Sequence, residues 1–304
     1  MTERLGHAMV SAQPAAAGRI SIVVLTYNRC EEVCRTLRGL SALPVAYPVI
    51  VVDNGSTDDT APRIEREFPS VTLVSVGANL GAAGRNQGVV KVATPYVAFC
   101  DDDTCWMPGS LEKAVEILDA HPGISVLNAR IWVGEDARPD PACVAMASSP
   151  LPSVAGVGPE LTGFMAGASV MRTHAFRQAR GYWAPFFIGG EEALLALDIL
   201  AQGGTIVYAP AVQLRHWPSI SRDTSLRRRL LARNALWTAW LRLPLPLALA
   251  RSWHQLSFLP DWRTRFAACR DALVGWRCVR RHRRVLDAAL CRKLAAVWRD
   301  EAGR

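Results

Sequence analysis

A chain of 304 residues, half of them apolar and with a mean hydropathy of +0.11, is long enough for one large core or two modest ones. Charged residues at 20% and aromatics at 8% exclude wholesale disorder. The net charge of +8 is unevenly placed: residues 222–304 hold 19 Lys and Arg against 6 Asp and Glu, so the basic character belongs to the tail and the remainder is mildly acidic.

The first 18 residues are rich in Ala, Gly and Ser but lack a continuous apolar stretch, which predicts a flexible segment over 1–17 rather than a signal peptide. The run Ile20 to Leu25 is apolar and β-branched, as a buried parallel strand would be. Asn28 and Glu31 then stand at capping-box spacing ahead of Val33, Leu37 and Leu40, which recur at helical spacing. Val49 to Val52 predicts a second strand, and Ser56 with Asp59 predicts the cap of a helix reaching about Phe68. A third strand over Val71 to Val76 precedes a Gly-rich turn and a helix from about Ala82 to Ala93. The fourth strand, Tyr96 to Cys100, runs straight into Asp101-Asp102-Asp103. Pro108 suits a helix first turn, and Leu111, Val115 and Leu118 share one face before Pro122-Gly123. Residues 134–160, rich in Pro, Gly, Ser and Ala, read as a long loop. Phe164 to Met171 and Thr205 to Tyr208 predict strands around a helix from Glu191 to Gln202. Beyond Pro218 the chain turns to Arg-, Trp- and Leu-rich helix.

Strands alternating with helices predict an α/β fold, an open parallel sheet covered on both faces. Ligands of such sheets bind beyond the carboxyl ends of the strands, where the polar clusters after strands one, two and four fall. Eight scattered cysteines without a C-x-x-C pair suggest reduced thiols in a cytoplasmic chain. No stretch of about 20 uninterrupted apolar residues predicts a membrane span.

Three adjacent carboxylates at a strand end repel one another, and a hard divalent cation such as Mg²⁺ or Mn²⁺ relieves that cost. A solvated acidic turn before the next helix is the alternative. Thr26-Tyr27-Asn28-Arg29 and Val52-Asp53-Asn54-Gly55-Ser56 stand where a nucleotide would lie, though each could serve turn chemistry alone. The segment from Gly77 to Asn86 would let backbone approach a phosphate near a helix N-terminus. Its glycine spacing is not that of a dinucleotide fingerprint.

In this order, Thr26-Tyr27-Asn28-Arg29, Val51-Val52-Asp53-Asn54-Gly55-Ser56-Thr57-Asp58, Asn79 to Gly88 and Asp101-Asp102-Asp103 resemble the inverting family-2 glycosyltransferases of the GT-A fold. The resemblance covers roughly residues 18–218. It implies a mostly parallel GT-A sheet as catalytic domain over 18–218, followed by a helical extension over 219–304. It implies donor binding by Thr26, Asn28, Arg29, Asp53, Asn54, Arg85, Asn86, Asp101 and Asp102. Asp101 and Asp103 would form the D-x-D pair, with Asp103 as direct metal ligand and His216 matching a histidine that some members add. The family's acidic pair, usually Glu-Asp, corresponds to Glu191-Glu192. The base would be Glu192, one methylene longer than the usual Asp, with Glu191 as the alternative. The implied donor is a UDP- or dTDP-linked sugar, the cofactor Mn²⁺ or Mg²⁺, and the acceptor a glycan or a lipid-linked molecule.

Gln213-Leu214-Arg215-His216-Trp217 is not the Q-x-x-R-W motif of processive synthases, which favours a single addition. A nucleotidyltransferase would carry a G-x-G-x-R loop after the first strand, and this chain does not. A nucleotide-sugar-binding protein without activity is left open by the Glu-Glu departure. The tail, with Arg227-Arg228-Arg229, Trp237, Trp240, Trp253 and Arg280 to Arg284, suits an anionic membrane surface or simple packing on the catalytic domain. No recognition motif accompanies the charge, so nucleic acid is not an expected partner.

Overall fold

The computed structural model describes residues 16–218 and 224–303. The expected flexible segment 1–17 lies almost wholly outside the described residues.

Chain order runs β1 (Ile20–Thr26), α1 (Cys30–Ser41), β2 (Val49–Asp53), α2 (Thr60–Glu67), β3 (Thr72–Ser75), α3 (Gly84–Lys91), β4 (Tyr96–Asp101), β5 (Thr104–Trp106) and α4 (Ser110–Ala120). It continues through β6 (Ile124–Val133), β7 (Arg138–Pro139), α5 (Pro141–Ala147), β8 (Ser153–Val154), β9 (Gly158–Leu161), β10 (Ser169–Arg172), α6 (Thr173–Gln178), α7 (Glu191–Ala201) and β11 (Thr205–His216). The extension is α8 (Thr224–Arg242), α9 (Leu245–Ser257), α10 (Trp262–Val274), α11 (Trp276–His282) and α12 (Ala288–Gly303).

One sheet holds these strands in the order β3-β2-β1-β4-β10-β6-β11-β9-β8. The β3 to β4 half is parallel. Its strands read as unbroken apolar runs because both faces are covered, and Val23, Val24, Val97 and Phe99 are fully buried. Burial of each such side chain contributes about 1.5–3 kcal/mol. Gly88 of α3 packs on Val23 and Val52, where an added Cβ would stand 2.6 Å from one of the Val23 methyls.

The second half of the sheet departs from pattern reading. The ten-residue β6 pairs parallel with β11 and antiparallel with β10, so the sheet is mixed. The expected strand at 164–171 is a 3₁₀ turn over Ala166–Ala168 followed by β10. β11 runs on to His216, past a register shift between Ala209 and Gln213 that accommodates Pro210. The expected loop over 134–160 carries β7, α5 and β8, with Asp140 capping α5 through the Ala142 N–H.

Three expected caps differ. Arg29, not Asn28, precedes α1, and no capping box forms. α2 starts at Thr60, so Ser56 lies outside its cap; Asp59 precedes the helix without a side-chain cap bond, and the Thr60 amide is bound by Asp58. Pro108 lies outside α4, which begins at Ser110 after a left-handed Gly109.

The extension shares the core of the sheet domain. Ala239, Leu243, Ala248, Leu286, Leu290 and Leu294 join the same apolar cluster as the strands. Arg242 donates to both carboxylate oxygens of Asp198 on α7, at 2.5 and 2.8 Å. No helix among the described residues is long and apolar enough to cross a membrane, and all eight cysteines are free.

Candidate active site

Register creates the site. Parallel pairing sets Thr26 beside Asp53 and Leu25 beside Asp101, so the ends of β1, β2 and β4 finish level. The chain then turns through Asp102 and Asp103 into β5, which pairs antiparallel with β11 and brings Thr104 opposite His216. Side chains and backbone lock this turn. Thr36 donates to the Asp102 carbonyl at 2.8 Å, the Trp217 amide donates to the Asp103 carbonyl at 2.8 Å, and Thr104 Oγ1 accepts from the Asp101 amide at 2.9 Å.

Each aspartate meets a different partner. Arg85 donates to Asp101 Oδ1 at 2.5 Å. Asp102 accepts from Arg29 at 2.9 Å and from Thr26 at 3.1 Å. Asp103, only 2% exposed, accepts from Arg29 at 3.3 Å, and its Oδ1 lies 3.5 Å from His216 Nε2. Burial pushes Asp102 up to about 7, against the pull of Arg29. Burial works against the charge of Arg29, but the neighbouring Asp102 and Asp103 outweigh it and hold the guanidinium above its ordinary range.

These residues line a cavity of about 700 Å³ whose opposite wall is the start of α7. Gly190, with φ of 76°, turns the chain so that Glu191 and Glu192 open the helix. Glu191 is 7% exposed with one carboxylate oxygen unpartnered, and the buried Arg85 Nε is likewise unpartnered. Glu192 keeps part of its surface open to the cavity. Burial first, and then the Glu191 charge, push its carboxyl up to about 7, against Arg85.

Of the expected donor residues, Thr26, Arg29, Asn54, Arg85, Asp101 and Asp102 line this cavity, as do Asp103, His216, Glu191 and Glu192. Asn28, Asp53 and Asn86 do not. Asn28 adopts φ of 51° and accepts from the Thr57 amide at 2.7 Å, clamping the loop after β2. Asp53 is 4% exposed and accepts from the Ser56 amide at 3.0 Å. Asn86 spends both ends of its amide on the Tyr182 backbone, at 2.8 and 2.9 Å.

Pattern reading also missed residues. Gly167 lies against Asp101, where a Cβ would fall 2.3 Å from Oδ2. Asn234 of α8, fully buried, donates to the carbonyls of Phe186, Ile188 and Gly189 and holds the loop that leads into α7. Its one signal was an amide inside an otherwise Leu-, Ala- and Arg-rich helix. Arg227 and Leu231 of α8 reach the cavity from the extension.

Asp103 supplies a buried hard oxygen donor that suits Mn²⁺ or Mg²⁺, and the His216 imidazole beside it is a donor suited to a transition-metal ion such as Mn²⁺ rather than to Mg²⁺. Among the described residues no group of three or more His, Cys, Asp or Glu could hold a metal ion. An ion held here would take its remaining ligands from substrate phosphates and water, which is how Mg²⁺ is commonly bound.

The mixed sheet, with a carboxylate-lined cavity beyond the ends of its parallel strands, is of the GT-A class of nucleotide-sugar transferase folds. The model of glycosyl transferase family 2 matches residues 21–178, more than half of the chain, and the chain belongs to that family. An uncharacterized glycosyltransferase of Haemophilus influenzae is 34% identical over 110 residues, covering 36% of this chain and 37% of that one. With the Bacillus subtilis protein YwdF, likewise an uncharacterized glycosyltransferase, the match covers 38% of the relative, so little more than a third of these relatives' length is spanned. The N-acetylglucosaminyl-diphospho-decaprenol L-rhamnosyltransferase of Mycobacterium tuberculosis is 24% identical over 237 residues, 65% of this chain and 75% of its own. Among solved structures, residues 1–349 of S. aureus TarS superpose with a TM-score of 0.55 at 19% identity, covering 79% of this chain and 72% of that one. The Pyrobaculum calidifontis mannosyltransferase PcManGT, in complex with GDP-Man and Mn²⁺, does so with 0.56 at 18% identity, covering 84% and 74%. The structural likenesses show the fold.

Proposed function

We propose that this chain is an inverting, metal-dependent glycosyltransferase that moves one sugar from a nucleotide diphosphate donor to an acceptor hydroxyl. The observation that carries the reading is that one cavity joins the Asp101 to Asp103 turn and His216 to the Glu191-Glu192 helix start.

Thr26, Arg29 and Asn54 line the nucleotide side, with Asp53 behind them at the end of β2. Asp103 and His216 would hold the divalent ion, which when bound neutralises charge on the leaving diphosphate. Arg85, anchored on Asp101, faces the sugar and diphosphate. Glu192 takes the proton from the acceptor hydroxyl. The acceptor oxygen bonds to the anomeric carbon as the bond to the diphosphate oxygen breaks, and attack from the opposite face inverts the configuration. Its carboxyl near 7 suits Glu192 to this work better than Glu191, which is more deeply buried beside Arg85.

A UDP- or dTDP-linked donor and a lipid-linked acceptor suit this reading. The Mycobacterium tuberculosis relative is, by name, a transferase onto a diphospho-decaprenol lipid. Cell-surface polysaccharide or glycolipid synthesis is the corresponding role, carried out at the inner face of the membrane.

The test is release of nucleoside diphosphate from a panel of nucleotide sugars, with Mn²⁺ or Mg²⁺ and glycan or polyprenyl-diphosphate acceptors. Acceptor-dependent release supports the reading. Donor binding without release under every acceptor would favour a binding protein instead.

A further inference from the structure

We propose that α9 and α10 form a docking face for an anionic lipid bilayer. Among the described residues fifteen large apolar side chains stand exposed, and ten of them lie between Leu245 and Val285. They fall on stripes. Leu245, Leu249 and Trp253 recur every fourth residue on α9 and are 54%, 53% and 79% exposed. Trp262, Phe266 and Leu273 share one face of α10 at 66–70% exposure, and Phe258 stands in the connection between the two helices.

The opposite sides of both helices are already occupied. Ala248 of α9 and Ala268 of α10 are buried, Ser252 accepts from the Trp240 indole, and the Ala272 carbonyl accepts from the Trp237 indole. α9 and α10 both pack on α8, so among the described residues the outward stripes are left uncovered.

Charge selects the occupant. Residues 245–285 hold nine arginines against two aspartates. Asp261 is spent capping α10 through the Thr264 amide, and Asp271 is paired with Arg229. Arg263, Arg265, Arg277, Arg280, Arg281 and Arg284 are exposed. A second copy would set this positive surface against itself, whereas an anionic headgroup layer takes exposed Trp and Phe into its interface and pairs with the surrounding guanidiniums. α8 carries these helices and also lines the cavity with Arg227 and Leu231, so docking would hold the cavity in fixed relation to the bilayer.

The proposal rests on the surface of the extension, not on the transfer reaction. It is tested with the full chain by co-sedimentation with vesicles of phosphatidylcholine, and of phosphatidylcholine mixed equally with phosphatidylglycerol. Binding to the anionic vesicles, weakened by salt, is expected. Trp253→Ser/Trp262→Ser/Phe266→Ser should lower the partition coefficient about tenfold or more, and Arg263→Glu/Arg277→Glu should lower it while apolar exposure is unchanged. Brominated lipid should quench the tryptophan emission of the wild-type chain, a readout independent of how the variants fold. No binding, equal binding to both vesicles, or no quenching would overturn the proposal. So would a wild-type dimer in light scattering that the triple serine variant converts to monomer. Nucleotide-sugar binding, followed by thermal shift in the same variants, reports on the active site separately.

Discussion

Asp103 Oδ1 and His216 Nε2 stand 3.5 Å apart, although one lies in the turn after β4 and the other closes β11. The antiparallel pairing of Thr104 with His216 creates that proximity, and the Trp217 amide bound to the Asp103 carbonyl holds it. Asp103→Ala removes the buried oxygen donor of the pair. It should abolish the Mn²⁺-dependent part of nucleotide binding, with a fall in kcat/KM of about 10²-fold or more. Calorimetry with nucleoside diphosphate, with and without Mn²⁺, measures this, and an unchanged metal increment would remove Asp103 from the site.

Glu192→Gln keeps the size of the side chain and removes its basicity. Turnover should fall about 10²- to 10⁴-fold with donor affinity retained. Equal turnover in wild type and variant would reassign the base.

The pH profile carries a separate expectation. A base works only when deprotonated, and burial with the Glu191 charge pushes the Glu192 carboxyl up to about 7. Activity should therefore rise with pH through about 7 and fall away below it. Glu191→Gln removes the like charge that raises Glu192, so the acid limb should move to lower pH. A limb that stays in place in steady-state profiles of the variant would uncouple the two glutamates.

Gly81 adopts φ of +60°, and a Cβ there would meet the Phe187 carbonyl oxygen at 2.0 Å. The neighbouring Ala82 amide donates to that same oxygen at 2.6 Å, joining the turn before α3 to the segment before α7. Gly81→Ala should cost roughly 2–4 kcal/mol in urea unfolding through strain and backbone displacement. It should also weaken donor binding, because Asn54 donates to the Gly81 carbonyl at 3.0 Å.

Arg242→Ala should leave Asp198 without its two-pronged partner. The Asp198 side chain retains 21% exposure, so the expected loss is about 2–3 kcal/mol, below that of a fully buried pair. Chemical denaturation would show one transition moving to lower denaturant, because Leu243 and Ala248 of the extension lie in the core shared with the strands. Two separated transitions would mean that the extension folds as an independent unit.

The parallel half of the sheet is legible in the amino-acid sequence, because a strand buried on both faces is an unbroken apolar run and the polar residues that line the cavity follow directly. Thr26, Arg29, Asn54 and the three aspartates therefore stand out, as do Glu191-Glu192 at the start of their helix. The residues that read less well are those whose role depends on a distant partner. Asn86 has the pattern of a donor ligand, yet its amide is clamped on Tyr182; Asn28 has the pattern of a helix cap, yet it holds Thr57. Gly167 and Asn234 carry almost no local signal, since one is defined by the Asp101 carboxylate against it and the other by three carbonyls on another segment.

The aspartate turn shows where local pattern ends and tertiary structure begins. Repulsion among three adjacent carboxylates is a property of the chain alone, and it required some compensating positive charge. Which charge reached which carboxylate was decided only when β1 paired with β4 and β5 with β11. Arg85 then met Asp101, Arg29 bridged to Asp102 and Asp103, and His216 came up to Asp103. Periodicity encodes contacts within an element, whereas these pairings depend on strand register and on helix placement, which the whole core sets together.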